Sequence, residues 1–371
     1  MDETCYAALS RVIKDHVRLG PSRRQTVAQL VAGIARAGTV NLNRLAAHIE
    51  SAAQTASVHR RLERFFSEVR LDPVEVARLT VSVLGLGGKP WHLAMDRTNW
   101  KFGRTDLNVL VLSVAVDQVC VPLLWTILDK AGCSSTAERI DLMQSFLSAF
   151  PDQKLASFAG DREFIGNKWI SWLHDNGVPY VLRLRDGMKV FDAAHVPGAI
   201  ARHAAGLKPG QTRPLAGRWR IGPNETDASP PLRIVIKRLA TGELLALASR
   251  TGPARALAQY RKRWKIETLF GALKSRGFNL EATHITQPDK LSTLIALLTL
   301  AAAFACKAGL ALLGGKPIRR KAHGRPARSL FAYGLDAIRK ALAPLGFTNA
   351  LNVMLSALLG NKRQTRRLCL A

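Results

Sequence analysis

Three acidic residues stand at positions from which their side chains could share one site. Asp96 and Asp161 each end a short apolar segment that is typical of a β-strand, and the carboxyl ends of strands in an α/β sheet open onto the crevice where ligands bind. Glu267 lies later in the chain, in a segment with helical periodicity. Taken singly, each acid could equally cap a helix or lie in a surface turn. As a set, three carboxylates from separate segments are suitable ligands for a hard cation such as Mg²⁺.

Phosphodiester cleavage is the chemistry that such a set supports. Two hard cations held about 4 Å apart can activate an attacking oxygen and stabilise a leaving oxygen. None of the nine histidines forms an HxxxH or HExxH pair, so zinc hydrolysis is not indicated. The glycines at 85, 87 and 88 are not followed by GKS or GKT, so no nucleotide cofactor is expected.

The segment YRKRWKIETLFGALK carries a polar stripe around the third acid. Tyr260, Arg263, Glu267 and Lys274 are separated by three, four and seven residues, which places them on one face of a helix with 3.6 residues per turn. Arg can hold a phosphate through its planar fork, and Lys as a point charge. The alternative is an amphipathic surface helix in which Arg263 and Glu267 form an ordinary i,i+4 ion pair.

These motifs carry a resemblance to a known family. The spacing Tyr-x2-Arg-x3-Glu-x6-Lys resembles the signature of the insertion-sequence-four family of bacterial DDE transposases. The segments AMDRTNWKFG, around Asp96, and AGDREFIG, around Asp161, are similar to that family's other blocks. HGRPARSLFAYGLD at 323–336 resembles its C-terminal tail. The resemblance covers about residues 90–340.

The resemblance implies a catalytic mechanism. The core would be ribonuclease-H-like, with Asp96, Asp161 and Glu267 as catalytic residues that bind Mg²⁺ or Mn²⁺, two ions when DNA is bound. Water would cut the transposon end, and the freed 3′-hydroxyl would then attack another strand. In studied members that attack forms a hairpin end, which a second water opens before target joining.

The resemblance also implies DNA contacts. Tyr260, Arg263 and Lys274 would hold phosphates near the cut. Trp264 falls where relatives keep an aromatic residue close to the cut end, so it could stack on a displaced base. Ordinary core packing is an equal alternative for Trp264, and Trp219 is a weaker stacking candidate.

Strand-like and helix-like segments alternate around these residues. Apolar segments predict strands at 90–96, 107–116, 119–128, 155–161 and 178–185. Periodic segments predict helices at 135–150 and 163–177, and one strong helix is predicted from Pro253 to Arg276. Short β-like pieces with recurrent Gly and Pro predict a β-rich insertion at 187–249.

The predicted fold class is α/β, with four parts. A small all-helical domain precedes the ribonuclease-H-like core that the resemblance implies, the β-rich insertion interrupts that core, and helical segments follow it. The basic helix in SVHRRLERFFSEVR suits a helix-turn-helix-like DNA reader, and a small bundle with a solvated basic face is the alternative. The expected bounds are 1–85 for the DNA-end-binding domain, 86–186 and 250–310 for the core, 187–249 for the insertion, and 311–371 for the basic C-terminal region.

The chain is strongly basic, which bears on its partners. Lys and Arg total 54 against 27 acids, for a net charge of +27. Nucleic acid is the commonest partner of such a chain, and a ribosome-associated or membrane-surface protein is the alternative. Five scattered cysteines without a CxxC pair fit a reduced, cytoplasmic setting. The uncharged run from Leu291 to Cys306 is shorter than the ~20 residues of a membrane span, so a buried helix and no membrane are expected.

Three function classes therefore stay open. The first is an active transposase that binds transposon ends and target DNA, as a homodimer when assembled on DNA, in the bacterial cytoplasm at the nucleoid. The second is a nuclease with the same core that cuts without joining. The third is a DNA-binding protein whose chemistry has lapsed, against which the complete set of Asp96, Asp161 and Glu267 argues.

Overall fold

Helices form the N-terminal part of the chain. The computed structural model describes residues 3–49, 51–116, 119–192, 197–224, 226–322 and 326–342. The first helices along it are α1 (Glu3–Lys14), α2 (Pro21–Ala37), α3 (Leu42–His48), α4 (Thr55–Glu68) and α5 (Pro73–Leu84). The helical character expected of this part is confirmed. Most of the predicted basic C-terminal region, from residue 343 onward, and the start of the 323–336 motif lie outside the described residues.

Apolar spacing and side-chain caps explain these helices. The buried residues of α4 recur at the three- and four-residue spacing of one helix face, namely Val58, Leu62, Phe65 and Phe66. At the start of α3, the Asn41 side chain accepts a hydrogen bond from the backbone N–H of Arg44 over 3.2 Å. This bond satisfies a backbone donor that the first turn of a helix leaves unpaired.

A mixed sheet forms the centre of the molecule. Its first three strands, β1 (Trp91–Phe102), β2 (Thr105–Val116) and β3 (Val119–Leu128), pair as an antiparallel meander. β4 (Leu155–Gly160) then pairs parallel with β1, and β5 (Tyr180–Arg183) pairs parallel with β4. The helices α6 (Thr136–Ala149) and α7 (Asn167–Asp175) make the two crossovers. All five strands and both helices follow the order predicted from the sequence.

The described residues of the segment predicted as a β-rich insertion, 187–192, 197–224 and 226–249, form short strands and a 3₁₀ turn. β8 (Thr212–Pro214), β10 (Arg233–Arg238) and β11 (Leu244–Ser249) extend the central sheet, in which β11 pairs antiparallel with β5. The full strand order is β3-β2-β1-β4-β5-β11-β10-β8. β6 (Lys189–Phe191), β7 (Pro197–Ala199) and β9 (Arg220–Ile221) form a separate small sheet. The antiparallel pairing agrees with the prediction that this segment does not continue the parallel α/β pattern.

The single helix predicted from Pro253 to Arg276 is wrong. The structure has two helices, α8 (Pro253–Arg263) and α9 (Lys265–Leu273), on either side of Trp264. α8 packs against β4, β5, β10 and β11 as well as β1, whereas α9 packs against β1, β2 and β3. Because neighbouring strands of a sheet are rotated relative to one another, one straight helix cannot follow both halves of the sheet. Helical periodicity along the sequence carries no signal of that change of direction.

The apolar helix α10 (Pro288–Leu313) lies in the core. It packs against α11 (Leu330–Ala341), α5, α2 and β3. Among the described residues it is the one helix long and apolar enough to cross a membrane by length and composition. However, 83% of its most apolar window is buried within the protein. This burial agrees with the expectation of a core helix.

Candidate active site

The two aspartates predicted to share a site lie on neighbouring parallel strands. β1 and β4 pair with Met95 opposite Gly160, so Asp96 comes level with Asp161 where β4 ends. The expectation that the first strand ends at Asp96 is wrong, because β1 continues to Phe102 and stays paired with β2. The Gly160 position admits no side chain, because a Cβ there would lie 2.7 Å from the Cβ of Phe164. This close approach lets the chain turn sharply after Asp161 into a 3₁₀ turn. Strand pairing and one glycine therefore bring the two acids together.

Backbone donors orient both carboxylates. Asp96 Oδ1 accepts a hydrogen bond from the N–H of Arg97 over 2.8 Å. Asp161 accepts one from the N–H of Arg162 over 2.5 Å, and so caps the 3₁₀ turn that follows it. Each acid is thus fixed by the residue that comes directly after it.

Arg263 joins the first acid to the third. One of its terminal nitrogens lies 3.4 Å from Oδ2 of Asp96, and the other donates to Oε1 of Glu267 over 2.8 Å. Arg263 is only 3% exposed, whereas the Glu267 side chain is 43% exposed. The i,i+4 ion pair between Arg263 and Glu267 therefore exists, but it lies at the buried end of α8 and includes Asp96.

Burial shifts the protonation of the first acid. Removal from water raises the pKa of the Asp96 carboxyl from 3.8 to about 6. The nearby charges of Asp161 and Glu163 raise it as well, whereas the hydrogen bond from Arg97 and the charge of Arg263 lower it. A raised carboxyl pKa beside other acids is common at functional sites.

The three carboxylates are suitable ligands for a divalent cation, but in this structure they are not grouped around one point. All three offer the oxygen ligands that Mg²⁺ prefers. Within the described parts of the chain, however, no three His, Cys, Asp or Glu side chains are grouped closely enough to hold an ion. Asp96 and Asp161 stand as a pair, and the Glu267 carboxylate is bound to Arg263. A common metal site requires Glu267 to turn from the guanidinium toward that pair.

The aromatic residues beside the third acid differ in exposure. Tyr260 is buried, and its ring lies 5.4 Å from the Arg263 guanidinium carbon. Burial raises the pKa of the Tyr260 hydroxyl. Trp264 is 64% exposed, so the alternative that it packs in the core is wrong. Trp219 is buried and donates from its indole nitrogen to the Ala216 carbonyl over 2.9 Å, which leaves it no free face for a base.

Lys274 lies apart from the helical stripe on which it was predicted. α9 ends at Leu273, so Lys274 no longer follows the helical spacing. Its ammonium donates to the carbonyl of Asn99 over 3.1 Å and pairs with Glu281 at 2.8 Å. Lys274 therefore contacts β1 at Asn99, three residues beyond Asp96, and does not continue the helical stripe that carries Arg263 and Glu267.

A largely buried polar network lies beside both aspartates, and two of its members are distant in sequence from either acid. Glu163 Oε1 accepts hydrogen bonds from Arg97 Nε and from the N–H and hydroxyl of Ser134. The Arg97 guanidinium also donates to Asn108 over 2.9 Å. Asn108 and Ser134 are buried polar residues. Neither stands next to an acid in sequence, so no local pattern could have identified them.

Comparison with known proteins places the chain in a family. A model of the transposase DDE domain matches residues 87–304, a span of more than half of the 371 residues that includes all three acids. The chain belongs to this DDE transposase family, and it is an enzyme that catalyses DNA cleavage and transposition. A search of curated proteins gives no match.

Solved structures include a similar transposase. The chain is similar to the piggyBac transposase, whose structure was determined by cryo-EM as a synaptic complex with hairpin DNA. The identity is 9% and the TM-score is 0.47. The alignment covers 99% of this chain and 82% of that chain.

Proposed function

We propose that this chain is the transposase of a bacterial insertion sequence of the insertion-sequence-four family. It would cut DNA at the terminal inverted repeats of its element and join the ends to target DNA. The observation that carries the proposal is the placement of Asp96 beside Asp161 on parallel strands, with Arg263 joining Asp96 to Glu267. These three acids are the proposed catalytic residues and ligands of Mg²⁺ or Mn²⁺.

Sheet topology supports a ribonuclease-H-like core. Three antiparallel strands are followed by helix, strand, helix and strand, in the spatial order β3-β2-β1-β4-β5. The proposed core comprises 86–186 and 250–310, with the insertion at 187–249. The proposed flanking parts are the DNA-end-binding domain at 1–85 and the basic region at 311–371.

The chain's own residues have distinct parts in the proposed reaction. A bound divalent cation would stabilise charge at the scissile phosphodiester. Asp96 and Asp161 hold their carboxylates at one sheet edge through backbone hydrogen bonds, so little reorganisation is needed there. Arg263 holds two of the acids near one another, and its planar fork would become available to a phosphate when Glu267 turns toward the metal. The rings of Tyr260 and Trp264 lie 5.4 Å and 6.0 Å from its guanidinium carbon.

DNA contacts by residues of α8 and of the turns that follow α8 and α9 complete the proposed site. Tyr260, Arg263 and Lys274 would grip phosphates near the cut, and the exposed Trp264 ring would stack on an unpaired base. Lys274 must exchange Glu281 for a phosphate, and both residues of that pair are partly exposed. Such pairs contribute roughly 0–1 kcal/mol, so the exchange costs little.

Recognition of the element's end is proposed to lie in the N-terminal helices. α3 and α4 are consecutive short helices, and α4 exposes Arg60 and Arg64 one turn apart. A basic helix that follows a short helix and a turn suits insertion into the major groove. Assembly as a homodimer on paired ends, in the cytoplasm at the nucleoid, belongs to the same proposal.

A cleavage and joining assay tests this function. The full chain is incubated with Mg²⁺, a labelled duplex that carries the element's end, and an unlabelled target plasmid. The proposal predicts cut ends and labelled plasmid, with a duplex of scrambled end sequence as control. Cutting without any labelled plasmid would contradict strand transfer, and equal use of the scrambled duplex would contradict end recognition.

A further inference from the structure

A second group of arginines lies beside Asp161, outside the residues discussed so far. Arg162 follows Asp161 directly, Arg183 ends β5, and Arg185 lies two residues beyond it. Because β4 and β5 are parallel neighbours, both strands end at the same edge of the sheet. Three guanidinium groups are therefore brought to the edge that carries the second acid.

One carboxylate contacts two of these arginines with unequal strength. Oε1 of Glu243, in the turn between β10 and β11, accepts a hydrogen bond from Arg183 over 2.5 Å and lies 3.5 Å from Arg162. The Arg183 side chain is 10% exposed and also donates to the Leu244 carbonyl over 3.3 Å. Arg183 is thus the fixed partner of Glu243, and Arg162 is the loosely held one.

Arg162 and Arg185 face solvent together. The Arg162 side chain is 47% exposed, and Arg185 is also exposed. The Nε of Arg185 donates to the backbone carbonyl of Arg162 over 3.2 Å, which ties the two residues at one corner. That bond leaves the terminal nitrogens of Arg185 without a hydrogen-bond partner among the described residues.

The energetics favour release of Arg162 to an anion. An exposed ion pair contributes roughly 0–1 kcal/mol, and the nitrogen–oxygen distance between Arg162 and Glu243 is long, at 3.5 Å. A guanidinium that donates two parallel bonds to a phosphate forms a stronger, charge-assisted contact. Arg162 can therefore leave Glu243 for a phosphate, while Arg183 keeps the Glu243 carboxylate paired.

We propose that Arg162 and Arg185 form a phosphate-binding site for the DNA backbone that runs past Asp161. The ligand class is the phosphodiester of a nucleic acid strand, and the contact is independent of base sequence. Glu243 stays paired with Arg183 when Arg162 leaves it. This inference rests on the proposed function and adds a stretch of the DNA path on the opposite side of Asp161 from Arg263.

Salt-dependent binding of the full chain to a labelled duplex of arbitrary sequence tests the site. The variant is Arg162→Gln with Arg185→Gln. The matched control is Lys89→Gln with Lys154→Gln, which removes two exposed charges next to the opposite, amino ends of β1 and β4. The slope of log affinity against log salt falls by about 0.9 for each phosphate that the protein no longer neutralises. The slope of the arginine variant should therefore be shallower by about 1.8, and the lysine variant should keep the wild-type slope.

The outcomes of the salt titration separate failure of the phosphate site from failure of the proposed function. Equal slopes in the arginine variant and the wild type would overturn the site, as would equally reduced slopes in both double variants. A wild-type chain whose affinity does not change with salt would contradict the proposed function itself. Melting curves check that the double variant is folded, and Arg162→Gln alone, with about half the change, keeps the test valid if the double variant is not.

Discussion

The Nε atom of Arg97 donates a hydrogen bond to Oε1 of Glu163 over 2.7 Å. Arg97 directly follows Asp96 within β1, and Glu163 lies two residues after Asp161, which follows the end of β4. This bond therefore links the two segments that carry the acids, and we call it the Arg97–Glu163 strut. Both side chains are largely buried, at 15% and 17% exposure. Burial raises the pKa of the Glu163 carboxyl, but the hydrogen bonds from Arg97 and Ser134 outweigh burial and leave that pKa lowered.

Loss of this strut should weaken metal binding first. Glu163→Ala removes the acceptor that fixes Arg97, and loss of a residue that supports metal ligands typically lowers metal affinity by about 10- to 100-fold. In Glu163→Ala, we expect the Mg²⁺ concentration for half-maximal cleavage to rise by about that factor. In Glu163→Gln, this concentration should rise less. Glu138→Ala, which removes the glutamate half of the capping box of α6 and leaves the Ser135 cap in place, is the control. A Glu163→Ala variant with the wild-type Mg²⁺ dependence would show that the strut serves stability alone.

Lys274 offers a test that separates DNA binding from a structural role. Lys274→Ala should reduce cleavage strongly, because misplacement of a reacting group by ~1 Å can cost ~100-fold in rate. Glu281→Gln breaks the same ion pair but leaves the lysine charge in place, so it should cleave at nearly the wild-type rate. Single-turnover cleavage rates of both variants decide between the roles. Equal reductions in the two variants would mean that Lys274 acts through its ion pair with Glu281 and not through a contact with DNA.

The two tryptophans should behave in opposite ways. Trp264 is 64% exposed and Trp219 is 8% exposed. Trp264→Ala should change the free energy of unfolding by no more than about 0.5 kcal/mol and should lower end processing. Trp219→Ala should cost about 3–5 kcal/mol, as buried aromatic truncations do. Denaturant melts and cleavage assays on the same preparations measure both effects, and normal end processing by Trp264→Ala would remove it from the DNA-contact set.

His92 gives the fold a pH dependence of known sign. Burial, Lys262 and Lys265 lower the pKa of His92 from 6.5 to about 4. The unfolded chain therefore binds a proton at higher pH than the folded chain, so the stability linked to His92 is complete above pH 6.5 and is lost as the pH falls toward 4. His92→Gln should flatten the dependence of unfolding free energy on pH within that window. An identical pH dependence in the variant and the wild type would refute this role.

Local patterns predicted most of the core and the three acids. Period-two alternation, caps and strand ends act within a few residues, so the order of β1 to β5, α6 and α7 and the place of Asp161 directly after β4 could be derived from the sequence. The strand predicted to stop at Asp96 instead continues to Phe102, because residues 97–102 pair with β2. The break at Trp264 and the pairing of β11 with β5 depend on the twist and edge of a sheet assembled from distant segments. The contacts of Arg97 with Glu163, and of Lys274 with Glu281, depend on how those distant segments pack. Spacing alone therefore identified candidate ligands but not their partners.

The central claim is that Asp96, Asp161 and Glu267 bind the metal that cleavage requires. The direct measurement is strand cleavage and DNA binding by Asp96→Asn, Asp161→Asn and Glu267→Gln, each in Mg²⁺ and in Mn²⁺, beside the wild type in EDTA. We expect each variant to lose cleavage while it binds DNA with wild-type affinity, and the wild type to be inactive in EDTA. Cleavage at the wild-type rate in EDTA, or by any of the three variants, would contradict the account.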